Sequence, residues 1–380
     1  MPAVNAHLSR SLRAGLFVLC AWGVGSTGRE VRAADPPRTE VSIRGEQFFI
    51  NGRPTYAGRT WQDHKIEGLL FNSRMACGIF DDANPSTAKR WAYADTGRWD
   101  AERNTNEFIA AMPEWRRHGL LAFTLCLQGG CPRGYWGKNQ PWNNAAFDPD
   151  GTLQAAYRDR AERILDQADA LGMVVILGIY YFGQDERLRD EQAVTRGVDE
   201  VVEWLLQRDY RHVLIEIANE CDSSKYDHAI LRAPRVSELL QRVRERRHGD
   251  RRLLAGVSFK GGVVPKAEVA RHSDFLLLHG NGQSPDGIKR QIRKTRALLD
   301  DRLLPLLYNE DDHYDFDQER NNMQSAIDGY CSWGLFDHRQ RNEPREYGYQ
   351  DLPVDWSISS PRKRAFFNRL AEITGSPVMP

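Results

Sequence analysis

The chain has 380 residues, of which 41% are hydrophobic and 27% are charged. This composition is ordinary for a soluble globular protein, and it excludes a largely disordered chain. Lysine and arginine together number 52, as do aspartate and glutamate, so there is no basic surplus of the kind that neutralises nucleic-acid phosphates. We therefore expect no nucleic acid partner.

The N-terminus has the pattern of an export signal. Two arginines precede the apolar stretch 14–25, which is too short to span a bilayer as a helix, and Val31 and Ala33 supply the small residues that precede a cleavage site. We predict that residues 1–33 are a signal peptide and that residues 34–380 form a single domain. The mature protein would then be secreted or periplasmic, without membrane attachment. A buried N-terminal helix is the alternative.

Five cysteines remain after the predicted cleavage, and an odd number leaves at least one thiol unpaired. Cys126 and Cys131 are close enough in sequence to bridge across a loop, and two buried thiols are the alternative. No cysteine spacing is typical of a zinc site, and we expect no cofactor.

Strand-like and helix-like segments alternate through the rest of the chain, after a predicted β-hairpin at the turn dipeptide Asn51-Gly52. Eight apolar runs are predicted as strands, at residues 54–61, 120–128, 173–181, 212–219, 252–259, 274–281, 304–310 and 329–336. Amphipathic segments between them have acids early and arginines late. The pattern predicts an α/β fold, an eight-stranded parallel β/α (TIM) barrel with an N-terminal β-hairpin. An open doubly wound sheet is the alternative, but the first predicted strand lacks that fold's glycine-rich turn.

The segment 62–100, between the first predicted strand and its helix, is the least regular part of the domain. It is rich in tryptophan, arginine and aspartate. We interpret it either as a loop that forms one wall of a pocket or as a surface loop packed by its own aromatic residues.

Two of the predicted strands lead into an acid: Glu220 follows the fourth and Glu310 ends the seventh. Because barrel strands have their carboxyl ends on one face, the two glutamates should share one rim. On the seventh strand, alternation predicts that Leu306 and Tyr308 share a face with Glu310, pointing into the barrel mouth. Glycoside hydrolysis needs one carboxyl group to protonate the leaving oxygen and one to attack or to activate water, so the pair indicates that chemistry.

The order of these residues resembles glycoside hydrolase clan A, and within it the cellulase-like family five. The resemblance rests on Asn219-Glu220 after strand four, Glu310 at the end of strand seven and Trp333 on strand eight. It implies that Glu220 is the acid/base, Glu310 the nucleophile, Asn219 the partner of the sugar 2-hydroxyl and Trp333 the platform under the sugar. It also implies an exported enzyme that cleaves O-glycosidic bonds of a poly- or oligosaccharide by a retaining double displacement.

Other polar residues lie near predicted strand ends. His279 stands where family five often has a histidine, and Asn281 stands where a tyrosine is usual. Arg59 and Tyr181 lie at or near the ends of predicted strands one and three, and we take all four as candidates for substrate binding. Glu216 is interpreted as a structural acid held by an arginine inside the barrel.

Two other functions stay open at this point. The run 310–317 contains five acids and one histidine, a density of ligands that makes a metal-dependent barrel hydrolase or isomerase an alternative. A glycan-binding barrel without catalysis is the other. We predict a carbohydrate substrate and no metal, while the particular glycan and the oligomeric state are not determined by the sequence.

Overall fold

The computed structural model describes residues 39–129, 132, 140–144 and 146–377. The predicted signal peptide at 1–33 lies outside this part of the chain. Cys131 lies outside it as well, but Cys126 is a free and buried thiol, which favours two thiols over a bridge.

The described chain begins with a small antiparallel sheet of three strands, β1 (Val41–Arg44), β2 (Gln47–Ile50) and β3 (Arg53–Pro54). Asn51 and Gly52 join β2 to β3 with φ of 52° and 73°, the two left-handed conformations that a type I′ turn requires. Phe48 is fully buried and packs in one cluster with Leu214 and Leu307 of the parallel strands. The hairpin sheet therefore covers the end at which those strands begin.

The prediction of a barrel strand at residues 54–61 is wrong. Residues 60–61 form β4 (Thr60–Trp61), which pairs antiparallel with β5 (His64–Lys65). The first parallel strand is β6 (Asn72–Arg74), inside the segment 62–100 that the sequence left irregular. The physical reason is burial, because a strand flanked on both sides in a parallel sheet has to be buried, as β6 is, whereas Thr55 is the one buried residue of 54–61.

The parallel strands after β6 are β7 (Ala122–Cys126), β8 (Val174–Tyr180), β9 (Val213–Ala218), β10 (Leu254–Gly256), β11 (Leu276–His279), β12 (Leu306–Glu310) and β13 (Gly334–Leu335). Six of the parallel strands form one sheet in the order β10-β9-β8-β7-β6-β13, and β11 pairs with β12. The N–H of Asp274 donates to the carbonyl of Ala255 at 2.9 Å, and a parallel bridge joins Leu307 to Ser332. These bonds connect the two sheets on both sides, as in a β/α barrel.

Helices alternate with the parallel strands. They are α1 (Pro85–Ala88), α2 (Ala101–Arg117), α3 (Ala155–Leu171), α4 (Glu191–Gln207), α5 (Ser237–Glu245), α6 (Ala267–His272), α7 (Pro285–Leu298), α8 (Asn322–Asp328) and α9 (Pro361–Thr374). Asp100, Asp190 and Ser360 cap three of the long ones by accepting a backbone N–H of the first turn, worth about 1 kcal/mol each. In the part of the chain that the structure describes, no helix is both long and apolar enough to cross a bilayer.

A β-bulge interrupts the pairing of β11 with β12. Leu278 pairs with Tyr308, but His279 pairs with Glu310, so Asn309 is the extra residue. Tyr308 faces the helices, where its hydroxyl donates to Gln291 Oε1 at 2.8 Å. The predicted shared face of Tyr308 and Glu310 is therefore wrong, and Glu310 reaches the barrel mouth because the bulge turns it inward, as bulges near active sites often do.

Candidate active site

Glu220 lies two residues beyond the end of β9, where the parallel strands end. Its backbone is left-handed, with φ of 50°, a conformation that costs an L residue about 1–3 kcal/mol. The N–H of Glu220 donates to Ser258 Oγ at 2.9 Å, and the N–H of Cys221 donates to the Ser258 carbonyl at 2.9 Å. Ser258, just beyond β10, therefore holds the turn that presents the Glu220 carboxyl group.

Glu220, His279 and Glu310 meet at the mouth of the parallel strands. One carboxylate oxygen of each glutamate and one ring nitrogen of the histidine all lie within 4.8 Å of one another. His279 Nδ1 is 3.2 Å from Glu220 Oε1 and 3.7 Å from Glu310 Oε2. The histidine is fully buried, whereas the Glu220 side chain is 15% exposed and the Glu310 side chain 7% exposed. The two carboxyl groups thus face each other with the imidazole beside them.

Arg74, the last residue of β6, contacts the site and is not among the residues predicted from the sequence. Its Nε lies 3.0 Å from Glu310 Oε2, and its Nη2 donates to Asn219 Oδ1 at 2.9 Å. The apolar run 69–71 directly before β6 is the signal that marks this strand and its terminal arginine. Arg74 thereby places a positive charge against one glutamate and orients the amide next to the other.

Asn281 completes the surroundings of Glu310, since its Nδ2 donates to Glu310 Oε1 at 2.7 Å. Burial opposes ionisation of Glu310, but Arg74, His279 and the Asn281 amide together outweigh it and hold the pKa of Glu310 below its usual value. Glu310 is therefore a carboxylate at neutral pH.

Glu216 lies deeper among the strands, with its side chain 1% exposed. Its Oε2 is 3.8 Å from Arg74 Nη1 and accepts from Asn309 Nδ2 at 3.2 Å. Glu216 is thus the structural acid held by an arginine that the sequence indicated. It shares the positive charge of Arg74 with Glu310.

Tyr181 follows the end of β8 and is half-buried, with its ring centroid 4.4 Å from that of Phe182. Burial opposes the charge of Arg74, yet Glu310 and neighbouring polar groups, Tyr181 among them, raise the pKa of Arg74 above its ordinary value. Asn219, His279 and Asn281 therefore lie around the two glutamates or their arginine, whereas Tyr181 lies at the end of a neighbouring strand.

The assignment of Arg59 to the site is wrong. Its Nε donates to the carbonyl of Ile373 at 2.8 Å and its Nη2 to the carbonyl of Glu372 at 2.7 Å. These are carbonyls of the last turn of α9, where a positive charge stabilises the helix end. Arg59 belongs to the misplaced first strand, so it caps a helix instead of lining the mouth.

The assignment of Trp333 as a sugar platform is also wrong. Its side chain is fully buried, packed 5.9 Å from the ring of Phe316 and 6.1 Å from that of Phe366 on α9. The next residue, Gly334, faces inward, because a Cβ there would collide with Asn72, which shares the inward face of β6 with Arg74. Strand alternation then directs Trp333 outward, into the layer between strands and helices.

The acidic residues directly after β12 are hydrogen-bonded to other side chains of the protein. Asp311 is fully buried and accepts from Trp333 Nε1 at 2.8 Å and from Asn322 Nδ2 at 3.1 Å, while His313 Nδ1 lies 2.7 Å from it. Asp311, Asp312 and His313 each bring one potential ligand atom within 4.8 Å of the others. A cation bound to Asp311 would compete with the N–H of the buried Trp333 for the same carboxylate. A buried N–H left without an acceptor costs free energy.

If the chain is the hydrolase that the sequence resemblance implies, chelators should leave its activity unchanged. Glu220, His279 and Glu310 also have metal-ligand spacing, but the Arg74 guanidinium 3.0 Å from Glu310 would repel a second cation there. Hydrolysis rates should agree before and after dialysis against EDTA. Loss of activity on chelation, restored by one divalent ion, would reinstate the metal-dependent alternative.

No protein-family model and no curated protein matches the chain. Among solved structures, an endo-1,4-β-mannanase from Rhizomucor miehei superposes with a TM-score of 0.52 at 12% identity, covering 89% of this chain and 100% of that chain. A family 5 glycoside hydrolase from Bacteroides vulgatus has a TM-score of 0.52 at 10% identity, covering 87% of this chain and 70% of that one. A family 1 β-glucosidase from Thermotoga maritima has a TM-score of 0.52 at 11% identity, covering 82% and 99%.

These neighbours are glycoside hydrolases of family 5 and related enzymes, in agreement with the clan that the sequence resembles. At identities of 10–12% the likeness shows the fold alone. The chain has the β/α-barrel fold of these enzymes.

Proposed function

We propose that the protein is a retaining glycoside hydrolase in which Glu310 is the nucleophile and Glu220 the acid/base. The observation that supports this most directly is the approach of the two carboxyl groups, with oxygens within 4.8 Å, at the carboxyl ends of β9 and β12. A fold shared with glycosidases raises the expectation that this pair acts on a glycosidic bond. The substrate is then a poly- or oligosaccharide.

The separation of the carboxyl groups favours direct attack on the sugar. Retaining enzymes have the two groups about 5–5.5 Å apart, whereas inverting enzymes have them roughly 6.5–9.5 Å apart to fit a water molecule. Glu220 and Glu310 have oxygens within 4.8 Å of each other, which is too close for both the anomeric carbon and an attacking water to lie between them. A covalent glycosyl-enzyme is therefore the favoured intermediate.

The surroundings of the two acids support the division of roles. A nucleophile must be ionised, and Arg74 and Asn281 stabilise the charge of Glu310. Glu220 is the more exposed of the two, so it is better placed to exchange protons with a leaving group and with water. Asn219, oriented by Arg74, has its amide N–H groups left to donate to a sugar hydroxyl.

The reaction then follows two displacements. Glu310 attacks the anomeric carbon while Glu220 donates its proton to the departing glycosidic oxygen, giving a glycosyl ester and a free alcohol. Esterification removes the negative charge of Glu310, so Glu220 takes a proton from an entering water, which breaks the ester and restores both acids. Two inversions give net retention.

The proposal includes two features of the whole chain. The sheets of six and two strands are taken as one closed eight-stranded barrel, with Glu220 and Glu310 on its catalytic rim. The protein is also taken as exported, because two arginines and the apolar stretch 14–25 precede a small-residue cleavage pattern ending at Ala33. Both features fit an enzyme that meets polysaccharide outside the cytoplasm.

Anomeric configuration tests the proposal. After a substrate is found on a panel of aryl glycosides and plant, algal and fungal polysaccharides, time-resolved proton NMR identifies the first-formed sugar. We expect the anomer of the substrate to appear first and its mutarotation product later. If the opposite anomer appears first, Glu310 acts as a base through water and the nucleophile assignment is wrong.

A further inference from the structure

A cavity of about 780 Å³ opens between two loops that follow strands of the barrel. Arg90 and Trp91 come from the segment between β6 and α2, and residues 339–343, 351 and 352 come from the segment between β13 and α9. Both segments start at the carboxyl ends of their strands, so the cavity lies on the same face as Glu220 and Glu310.

The second loop links this cavity to the catalytic pair. The N–H of Phe336 donates to the carbonyl of Asp311, the residue after Glu310, at 2.9 Å. Burial lowers the pKa of His338, and the Glu310 carboxylate is among the charges that oppose this shift. Arg339 lies three residues after Phe336, so the cavity lining continues the segment that is hydrogen-bonded to the residue after Glu310.

The side chains that line the cavity combine positive charge with amides. It has three arginines, Arg90, Arg339 and Arg341, together with Gln340 and Asn342. Within the described residues, neither Arg90 nor Arg341 forms a salt bridge, and both are exposed. Guanidinium groups bind carboxylates and sulfates through paired N–H donors, and amides bind sugar hydroxyls.

The two acids in the lining are already engaged. Glu343 accepts from Arg362 Nη1 at 2.7 Å and from Arg362 Nη2 at 3.0 Å, and Asp351 accepts from the N–H of Arg339 at 2.6 Å. Glu343 is thus ion-paired with Arg362, Asp351 is buried, and among the described residues neither acid forms a salt bridge with Arg90 or Arg341. The exposed arginines keep their charge for a ligand.

The turn that presents Arg341 is held in place. Glu343 Oε2 accepts the N–H of Gln340 at 2.7 Å, and the N–H of Glu343 donates back to the Gln340 carbonyl at 3.1 Å. Asn342 has a φ of 69°, which fixes the tip of this turn. Since Arg362 anchors Glu343, the position of Arg341 is set before a ligand arrives, which lowers the cost of binding.

We propose that this cavity is a subsite for an anionic sugar, so that the substrate is a glycan with carboxylate or sulfate groups, held by Arg90 and Arg341 while its neighbouring bond lies between Glu220 and Glu310. The inference rests on the proposed glycosidase activity. The inference names a substrate class for that activity. Carboxylate and sulfate groups would both bind through the same arginine N–H donors.

The test compares anionic polysaccharides with their neutralised forms. Uronate polymers are paired with carboxyl-reduced samples, and sulfated polymers with desulfated samples, which separates the two kinds of anion. Binding is measured by affinity electrophoresis and hydrolysis by released reducing ends. The proteins are the wild type, the double variant R90S/R341S, and R293S, which removes an exposed arginine from the outer side of α7.

For at least one polymer, neutralisation should weaken binding by about tenfold or more, since each charge-assisted hydrogen bond contributes at least that factor. R90S/R341S should show the same loss on the native polymer, with a raised KM and a nearly unchanged kcat, whereas R293S should match the wild type. Raising NaCl from about 0.05 M to about 0.5 M should reduce the difference between variants.

Equal binding of native and neutralised polymers, or a double variant that matches the wild type, would overturn the subsite. If the wild type binds anionic glycan through these arginines but hydrolyses nothing, the subsite stands and the glycosidase proposal fails. If it hydrolyses neutral glycans best and R90S/R341S is unaffected, the glycosidase proposal stands and the subsite fails.

Discussion

Glu310→Gln is expected to reduce glycoside hydrolysis by about ten-thousandfold or more, because glutamine cannot form the glycosyl ester. The fold should persist, since Arg74 retains Asn219 and Glu216 as partners. Initial rates on the fastest substrate and thermal unfolding are measured together. A well-folded variant with normal turnover would remove Glu310 from the mechanism.

Glu107→Gln is the matched control for this substitution. Glu107 also follows an asparagine, but it lies on α2, where its carboxylate is 2.7 Å from Arg103 Nε and its side chain is 37% exposed. It should retain full activity. If the wild type binds glycans but turns none over, the glycan-binding barrel becomes the better interpretation.

Glu220→Gln separates the two acid roles. Without a proton donor, cleavage of an ordinary glycosidic bond should fall steeply, while formation of the ester from a substrate with an activated aryl leaving group needs no proton. Such a substrate should therefore give a burst of released phenol followed by slow turnover. Glu310→Gln should give no burst, and identical behaviour of the two variants would contradict the assigned roles.

Arg74→Met is expected to lower the free energy of unfolding by about 3–5 kcal/mol, the usual cost of removing one partner from a buried ion pair. The guanidinium is 1% exposed and lies between the carboxylates of Glu310 and Glu216, which would both lose their counter-charge. Urea unfolding at neutral pH measures the loss. Arg293→Met, on the exposed side of α7, should change stability by less than about 0.5 kcal/mol.

The pH dependence gives a second check on Arg74. The pKa of Glu310 is lower in the folded protein than in the unfolded chain. Ionised Glu310 therefore stabilises the folded wild type above about pH 4.3, and this stabilisation is lost as pH falls through the folded pKa. Arg74→Met raises that pKa, so the stability gap between the proteins should be largest at neutral pH and narrow below about pH 4. A gap that does not change with pH would mean that Arg74 acts through packing alone.

Much of the fold follows from sequence periodicity. Runs of seventeen residues such as α3 and α4 are long and amphipathic enough to be located directly, and Gly172 ends α3 in the left-handed conformation. The first parallel strand is hard to predict because β6 is three residues long and polar, whereas 54–61 contains strand-favouring residues outside the parallel sheet. Short buried strands have too few residues for a period to be recognised.

The candidate site, like the fold, is predictable from the sequence only in part. Asn219, Glu220 and Glu310 were located because each stands where an apolar run meets polar residues. Arg74 was missed because an arginine is rarely buried, and its role depends on partners far away in the chain. The inward turn of Glu310 depends on the bulge between β11 and β12, which strand pairing determines and alternation in one sequence does not.

The left-handed backbone at Glu220 has a consequence for engineering this protein. Glycine and asparagine adopt that conformation most readily, so they would relieve the local strain while removing the carboxyl group. A library screened only for thermal stability would therefore be enriched at position 220 in residues that cannot donate a proton. Stability and chemistry oppose each other at this one residue, so any screen for a more robust variant has to select for turnover as well.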